Sequence, residues 1–371
     1  AFVNKAIALA NANNAGIMAE LTKLTGLENP NSVTQLRDWL NDQGVDAPDL
    51  TKSTVAALLE ERPIKPIVQR VLELRQEIGK TSVSKLEAVA RAVCEDGVLR
   101  GILQFMGAAR THRWAGRIFQ PQNLPRPVVD QDEAVWAVEC GEATMDQLSS
   151  AIRGCIIGYE GALLGVADLA GIEGRVLPWL CYYQDKLDRI AAGEDTYIQA
   201  AAAAYRIPEE SVDKDGRQVG KVIELACGYQ GSVGAFQQMA TGYGLEMPDE
   251  QIKPLVYAWR DANKPIVDFW HQTQHAASLA IARPGTVHQA GRIELCVTGG
   301  FLWAKLPSGN FLAYYQPQFN DKGDITVMGL NQYSRKWERL SFYGGKFVEN
   351  FTQAVARDVL AEWMRCLLYT S

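Results

Sequence analysis

Apolar positions along the first hundred residues repeat at helical spacing. Ser32 followed by Gln35 predicts a capped short helix that runs through Leu36 and ends before Gly44. A longer helix is predicted after Pro66 from the apolar positions Ile67, Val68, Val71, Leu72, Leu74 and Ile78. The N-terminal part of the chain is therefore predicted to be helical.

Two segments in the next part of the chain have the pattern of strands. Val98, Ile102 and Phe105 predict one strand, which an arginine-rich loop follows. The apolar run from Gly161 to Ala167 predicts another, and because the run is continuous we expect that strand to be buried on both faces. It ends at Asp168.

The remaining pattern is first helical and then alternating. Residues 191–280 predict mostly helices, and residues 298–343 alternate between apolar and polar positions as strands do. Turns are predicted at 307–309 and at 322–323. The predicted order is a helical lobe, a sheet, a second helical lobe and a second sheet.

Composition excludes several classes of protein. The chain has 371 residues, of which 47% are hydrophobic, so it can form a sizeable core and is not globally disordered. No apolar run approaches the ~20 residues of a membrane span. The seven cysteines form no metal-binding or paired pattern, which indicates thiols in a reducing compartment. A net charge of −6 neither requires nor excludes nucleic acid.

A row of basic residues follows the polar side of the helix after Pro66 and the residues beyond it. Its members are Arg70, Arg75, Lys80 and Lys85. Such a row is usually a solvated face, and the functional alternative is a stripe laid along a phosphate backbone.

Asp168, Glu173 and Arg175 form the first candidate site. A carboxylate at the end of an apolar strand is a natural ligand for Mg²⁺, which binds one or two carboxylates together with substrate phosphates. The alternative is that Asp168 caps a helix that begins at Leu169. The residues themselves leave both interpretations open.

Arg217, Lys221, Leu225 and Tyr229 are spaced by four, which places them on one broad stripe of a helix. Two cations followed by an apolar residue and an aromatic ring suit a nucleoside triphosphate, with its phosphates on the cations and its base near the ring. The alternative is an ordinary amphipathic helix with a basic end.

A third candidate is the loop that contains Arg113, Gln122 and Asn123 and ends at Pro125. Arginine, glutamine and asparagine side chains can reach phosphates and minor-groove acceptors. Many loops of this composition bind nothing. The loop is therefore a specific indication of DNA binding only in combination with the Asp168 and Arg217 segments that follow it.

In this order, the three segments resemble the polymerase region of family A DNA polymerases, the bacterial DNA polymerase I type, and especially its bacteriophage branch. Asp168 to Arg175 is similar to the first catalytic motif, Arg217 to Tyr229 to the nucleotide-binding helix, and Arg113 to Pro125 to the primer–template contact motif. Segments 258–265, 306–309 and 343–350 are similar to the phage branch. The resemblance covers roughly residues 27–365.

The resemblance implies an α+β right-hand polymerase fold with a helical thumb, an antiparallel-sheet palm and helical fingers. The N-terminal helical region and thumb would occupy residues 1–97 and the first part of the palm 98–185. The fingers would occupy 186–297 and a second part of the palm 298–371.

The implied reaction is the addition of deoxynucleotides to a primer 3′-hydroxyl, with two Mg²⁺ ions, deoxynucleoside triphosphates and primer–template DNA as partners and no membrane. Asp168 and the Leu169 carbonyl would hold metal, and Lys221 would act as a catalytic residue. Nucleotide contacts are implied for Glu173, Arg217, Lys221, Leu225 and Tyr229. DNA contacts are implied for Arg113, Gln122, Asn123, Arg175 and Gln353.

Three residues depart from the family pattern. His112 stands where a glycine usually precedes the arginine, Leu225 where an aromatic residue is usual, and Asn310 where a basic residue usually follows Pro-Ser-Gly. The last catalytic motif, His-Asp-Glu, is expected beyond Gln353 and is absent. We therefore expect a palm truncated before that motif, and residues 366–371 that are foreign to the protein.

Two alternatives remain. A single-subunit RNA polymerase shares the aspartate and the Arg–Lys–Tyr helix, but a bulky acid at Glu173 can exclude a ribose 2′-hydroxyl and favours deoxynucleotides. A chain without the last motif could instead be a non-catalytic DNA-binding fragment. Either way, we expect the protein in the cytoplasm of a bacterium or of a phage-infected host.

Overall fold

The computed structural model describes residues 1–60, 64–78, 82–158, 161–332 and 334–370, without the side chains of residues 82, 83 and 368–370. The chain divides into two compact units. Unit 1 comprises Ala1–Gln104 and Ala115–Val166, and unit 2 comprises Phe105–Trp114 and the described residues that follow Val166.

Unit 1 is mainly helical. Its helices are α1 (Phe2–Thr25), α2 (Val33–Asp42), α3 (Lys52–Glu60), α4 (Pro66–Ile78), α5 (Ser82–Ala92), α6 (Gln131–Cys140) and α7 (Met145–Ala151). Its strands are β1 (Leu103–Gln104) and β2 (Ala115–Gly116), which pair antiparallel. Helix α1 packs against α4, α5 and α6.

The predicted N-terminal helices are confirmed. Helix α2 begins after Ser32, whose hydroxyl accepts the Gln35 N–H, and it buries Leu36 and Leu40 in the core of unit 1. Helix α4 buries one side of the predicted apolar stripe: Val68, Val71, Leu72 and Leu74. Burial of that stripe in the core, rather than intrinsic propensity alone, stabilises a helix of this length.

The described cations of the basic row make contacts within unit 1 itself. Arg70 forms a two-bond ion pair with Glu20, and Arg75 donates to the Asn31 side chain. Lys85 donates to the Phe119 carbonyl, and Lys80 lies outside the described residues. The three described members of the row, Arg70, Arg75 and Lys85, therefore make local contacts.

Both predictions for the first sheet need correction. The strand predicted over 98–105 is reduced to the two residues of β1. The buried strand predicted from Gly161 to Ala167 is wrong, because the segment forms no strand and Leu163 and Val166 are 98% and 94% exposed. Among the described residues no strand pairs with this segment, and backbone groups form a sheet only with a partner.

Unit 2 combines helices with one large sheet. Its helices are α8 (Ile172–Leu180), α9 (Gln184–Ala191), α10 (Thr196–Tyr205), α11 (Lys214–Cys227), α12 (Val233–Gly242), α13 (Asp249–Ala262), α14 (Lys264–Ala282) and α15 (Gly344–Thr370). Its strands are β3 (Val287–Ala290), β4 (Ile293–Thr298), β5 (Phe301–Lys305), β6 (Phe311–Phe319), β7 (Ile325–Leu330) and β8 (Trp337–Phe342). The predicted helical region and the predicted alternating region are both confirmed.

The six strands follow one another as an antiparallel meander in chain order. The inner face of the sheet is buried, with Leu295, Leu302 and Tyr314 among its members. Helix α14 packs against β3, β4 and β5, and buried Trp259 and Trp270 stack with ring centroids 6.3 Å apart. Sheet and helices of unit 2 thus share one core.

Within the part of the chain that the structure describes, no helix is long and apolar enough to cross a membrane.

Candidate active site

The first candidate carboxylate, Asp168, is exposed and makes no hydrogen bond or ion pair within the described residues. It does not cap a helix, because α8 begins at Ile172 and its cap residue is Gly171 in the left-handed region, with φ of 59°. The interpretation of Asp168 as a helix cap is therefore wrong. The Leu169 carbonyl accepts the N–H of Ile172 at 3.2 Å.

Glu173 lies in the first turn of α8, and its carboxylate joins three separate segments of the sequence. The Tyr229 hydroxyl donates to Glu173 Oε2 at 2.9 Å, and Arg113 Nη1 lies 3.8 Å from Glu173 Oε1. All three residues belong to unit 2. The three motifs that were separate in sequence therefore meet at one carboxylate.

Helix α11 presents the two predicted cations. Arg217 Nε donates to Asp195 Oδ2 at 2.7 Å, and its guanidinium lies 5.3 Å from the centroid of the Tyr197 ring. Lys221 Nζ lies 4.6 Å from the centroid of the Tyr243 ring. Both cations are thus held by neighbours that leave them at the helix surface.

The other two residues of the stripe differ from one another. Leu225 is 40% exposed at the position where an aromatic residue was expected. Tyr229 lies beyond the end of α11 at Cys227, so the stripe does not stay on one regular helix as predicted. Burial, followed by the charge of Glu173, raises the pKa of the Tyr229 hydroxyl well above its usual value, so it remains a donor.

The N-terminal end of α15 lies against the Tyr229 segment. The Gly345 N–H donates to the Gln230 side chain, and a β-carbon at Gly345 would overlap the Tyr229 carbonyl oxygen. This close approach requires a glycine at position 345 and brings the following turns of α15 beside Tyr229.

Glu349, on those turns of α15, is a residue that the sequence predictions missed. Burial and the nearby Glu173 carboxylate raise its pKa, while Lys346, Arg110 and Arg113 oppose that change. Its only signal in the sequence was its place in the 343–350 segment of the phage branch. Gln353, one turn farther along α15, is half-buried.

His112 adopts the backbone conformation for which glycine is usual at its position. Its φ is 51°, in the left-handed region that L-residues adopt only at a cost. The loop therefore keeps its turn despite the substitution. Burial, then the Arg357 charge, lowers the pKa of His112.

The remaining predicted DNA contacts are exposed. Arg175 Nε donates to the Ala170 carbonyl in unit 2. In unit 1, Gln122 and Asn123 lie in a single 3₁₀ turn over Pro121–Asn123, and the Asn123 amide donates to the Gln120 side chain at 2.9 Å.

Asn310, the third departure from the family pattern, has a local explanation. Its amide donates to Asp358 Oδ1 at 2.9 Å, and the Ser308 hydroxyl and Arg357 also bind that carboxylate. Asp358 is therefore occupied by three partners and is not free to hold a metal ion.

The described residues contain no group of three or more His, Cys, Asp or Glu side chains that could hold a metal ion. Asp168 and the Leu169 carbonyl supply oxygen atoms of the kind that Mg²⁺ prefers. This donor set fits one ion that shares its ligands with a bound substrate, and the described residues do not complete a site for two.

Comparison with known proteins gives three findings. The model of DNA polymerase family A matches residues 3–281. A curated relative, the DNA polymerase of Bacillus phage SP02, is 40% identical over 97% of this chain and 58% of its own length. This chain thus spans somewhat more than half of that relative.

Among solved structures, the chain is similar to the POL domain of Pol1 from M. smegmatis in complex with DNA primer-template and dNTP. The TM-score is 0.56 at 15% identity, over 96% of this chain and 52% of that one. At this identity the match concerns the fold alone, and it confirms the predicted α+β polymerase fold.

Proposed function

The chain belongs to DNA polymerase family A, and from this premise we propose that it adds deoxynucleotides to a primer 3′-hydroxyl under the direction of a template. The observation that carries the proposal is the meeting of three motifs at Glu173, which binds Tyr229 and faces Arg113. Primer–template DNA and deoxynucleoside triphosphates are the proposed partners.

Arg217 and Lys221 are the proposed triphosphate ligands. Both lie on α11 one helical turn apart, and guanidinium and ammonium groups bind phosphate oxygens through charge-assisted hydrogen bonds. Lys221 carries protons that it can give to the leaving pyrophosphate. Asp195 orients the Arg217 guanidinium before substrate binds.

Glu173, Leu225 and Tyr229 are the proposed contacts of the nucleoside. The hydrogen bond from Tyr229 fixes the Glu173 carboxylate, and a fixed acid beside the sugar would exclude a 2′-hydroxyl. This interpretation, together with family membership, favours a DNA polymerase over a single-subunit RNA polymerase.

Asp168 and the Leu169 carbonyl would hold Mg²⁺. When bound, the metal would neutralise charge on the triphosphate. The exposed, unpaired Asp168 carboxylate supports this role. The family is generally associated with two ions, but we assign residues of this chain to one.

The DNA contacts that we propose are Arg113, Arg175 and Gln353 in unit 2 and Gln122 and Asn123 in unit 1. We further propose that residues 1–97 form the N-terminal region and thumb, 98–185 and 298–371 the palm, and 186–297 the fingers. The similarity to a phage polymerase supports action in the cytoplasm of a bacterium or a phage-infected host.

The test measures DNA binding and chemistry on the same 371-residue chain. Fluorescence anisotropy of a labelled primer–template should report binding that tightens with the correct deoxynucleotide, and a gel assay should report primer extension. Asp168→Asn should abolish extension and leave primer–template affinity unchanged. Asp268→Asn, which also changes an exposed aspartate of unit 2, is the matched control.

A second candidate function is DNA binding without catalysis. The observation that favours it is that the described residues contain no group of three or more His, Cys, Asp or Glu side chains that could hold a metal ion. Binding that tightens with the correct deoxynucleotide, but without extension, would support this function. Absence of primer–template binding at low salt would contradict both candidates.

A further inference from the structure

The outer face of the six-stranded sheet carries aromatic and apolar side chains that are exposed or half-buried. We call the outer face the set of Phe301, Trp303, Phe311, Tyr315, Leu330 and Trp337. Phe301 pairs with Tyr315 across β5 and β6, and Tyr315 pairs with Met328 on β7. Directly opposed residues lie on the same face of a sheet, so the face continues from β5 to β8.

Four rings of the outer face contact one another. The centroids of Phe301 and Tyr315 are 4.9 Å apart, those of Phe301 and Trp303 5.4 Å, and those of Trp303 and Phe311 6.2 Å. The rings form a continuous row over β5 and β6. A row of this kind on a strand surface offers π-faces to flat ligands.

The row continues toward an exposed indole at the β7–β8 turn. Leu330 pairs with Trp337, and the two side chains are 54% and 60% exposed. In the described part of the chain no other ring stacks on Trp337. Contiguous exposed apolar surface of this kind often marks an interaction site.

The turn beside Trp337 is basic. Between Ile325 and Phe342 the sequence has three cations, Arg335, Lys336 and Arg339, against one acid, Glu338. Asn331 and Ser334 bind the Glu338 carboxylate. Among the described residues, no carboxylate forms an ion pair with Arg335 or Lys336, so both cations remain available.

The basic turn is linked to the loop that precedes Arg113. Arg110 Nη2 donates to the Leu330 carbonyl at 3.3 Å, and three residues later Arg113 faces Glu173. The outer face thus ends beside a loop that we have placed at the site of synthesis.

We propose that the outer face and the turn cations Arg335 and Lys336 bind single-stranded DNA, the unpaired part of the template strand. Aromatic rings can stack on bases only where the bases are unpaired. A duplex would contact the cations through its phosphates but would give the Trp337 indole no base to stack on. The aromatic residues therefore favour a single strand. The inference rests on the proposed function, because it assumes a template.

The experiment compares two labelled DNAs on the full chain. One is an oligothymidylate of about 20 nucleotides, longer than the ~4–16 nucleotides that a single OB fold covers when it binds single strands. The other is a primer–template with a minimal template overhang. Trp337→Ala should weaken oligothymidylate binding by roughly 5- to 150-fold, the equivalent of ~1–3 kcal/mol per stacked base. Trp337→Phe should retain most of the affinity.

Controls separate this inference from the proposed function. Trp136→Ala removes an indole of matched exposure, 64%, in unit 1 and should change neither DNA. The variant with both Arg335→Ala and Lys336→Ala should flatten the salt dependence of oligothymidylate binding by about 1.4 in log–log slope, at ~0.7 per cation.

The possible outcomes differ clearly. If the unmodified chain binds the minimal-overhang DNA but Trp337→Ala binds oligothymidylate as tightly as the Trp136 variant does, the inference is wrong. It is also wrong if the unmodified chain does not bind oligothymidylate. Failure to bind the minimal-overhang DNA contradicts the proposed function instead.

Discussion

At the scale of single residues, the contacts around α11 divide the proposed nucleotide site into parts that the sequence predicts and parts that it does not. The spacing of Arg217 and Lys221 was sufficient to predict their placement on one helix surface. Their partners Asp195 and Tyr243 come from other elements, and no local pattern identifies them. Such contacts depend on tertiary packing, which cannot be predicted from the hydrophobic periodicity of the sequence or from the secondary-structure propensities of its residues.

We predict that Arg217→Ala weakens nucleotide binding rather than DNA binding. Loss of a hydrogen bond to a charged phosphate costs ~1.5–3 kcal/mol, or roughly 10- to 150-fold. The measurement is primer–template affinity as a function of deoxynucleotide concentration. The value to compare is the deoxynucleotide concentration that gives half of the maximal increase in affinity. Arg283→Ala, an exposed arginine outside the proposed site, is the control. Loss of duplex affinity with normal nucleotide binding would make α11 a DNA surface instead.

Glu349 gives a prediction about pH. Its pKa is raised by burial and by Glu173, and Lys346, Arg110 and Arg113 offset this only in part. A carboxyl group with a raised folded-state pKa lowers stability as pH rises from its unfolded value of ~4.3 through the folded value. Below both values the group is neutral in either state and the cost disappears.

Glu349→Gln should therefore raise the midpoint of thermal unfolding at neutral pH, and the difference from the unmodified chain should shrink as pH falls toward 4.3 and below. Thermal unfolding followed by circular dichroism at a series of pH values measures this. A variant that is less stable at neutral pH would indicate that the cations more than offset the burial of Glu349.

At the scale of elements, the pattern of the sequence was most reliable where an element buries one face in a core. The predicted strands over 298–343 and the predicted helices over 191–280 satisfy that condition. The apolar run from Gly161 to Ala167 does not, because the described residues provide it with no partner strand. Apolar sequence indicates burial, but it does not say which other segment covers it.

Helix α11 packs closely against α10 at Gly220. A β-carbon at this position would overlap the Tyr197 carbonyl oxygen and approach Ala201. Gly220→Ala should therefore separate the two helices and destabilise unit 2 by ~1–3 kcal/mol, the usual cost of overpacking. Since Arg217 contacts Asp195 and Tyr197, nucleotide binding should weaken as well.

Gly234→Ala is the matched control for this prediction. Gly234 lies in α12 with open space around its β-carbon position, so alanine should stabilise the helix by ~0.5–1 kcal/mol. Urea unfolding of both variants gives the comparison. Equal stability of the two variants would mean that α10 and α11 can move apart without cost.

At the scale of the whole molecule, the protein has a formal charge of −6 and so has the same sign of charge as the DNA that we propose it binds. An overall negative field repels phosphates, so binding depends on local groups of cations. In unit 1 the described cations of the basic row already contact partners such as Glu20, so we expect the exposed arginines of the proposed site to make most of the DNA contacts.

We therefore predict that primer–template binding falls steeply with salt, and that the steepness depends on a few named cations. Each phosphate contact on duplex DNA adds ~0.9 to the log–log slope, so Arg113→Ala should lower the slope by about 1. Lys253→Ala changes the net charge equally at an exposed position of α13, outside every proposed contact, and should leave the slope unchanged. The measurement is anisotropy across a salt series with the minimal-overhang primer–template. If both variants changed the slope equally, net charge rather than the Arg113 contact would govern binding.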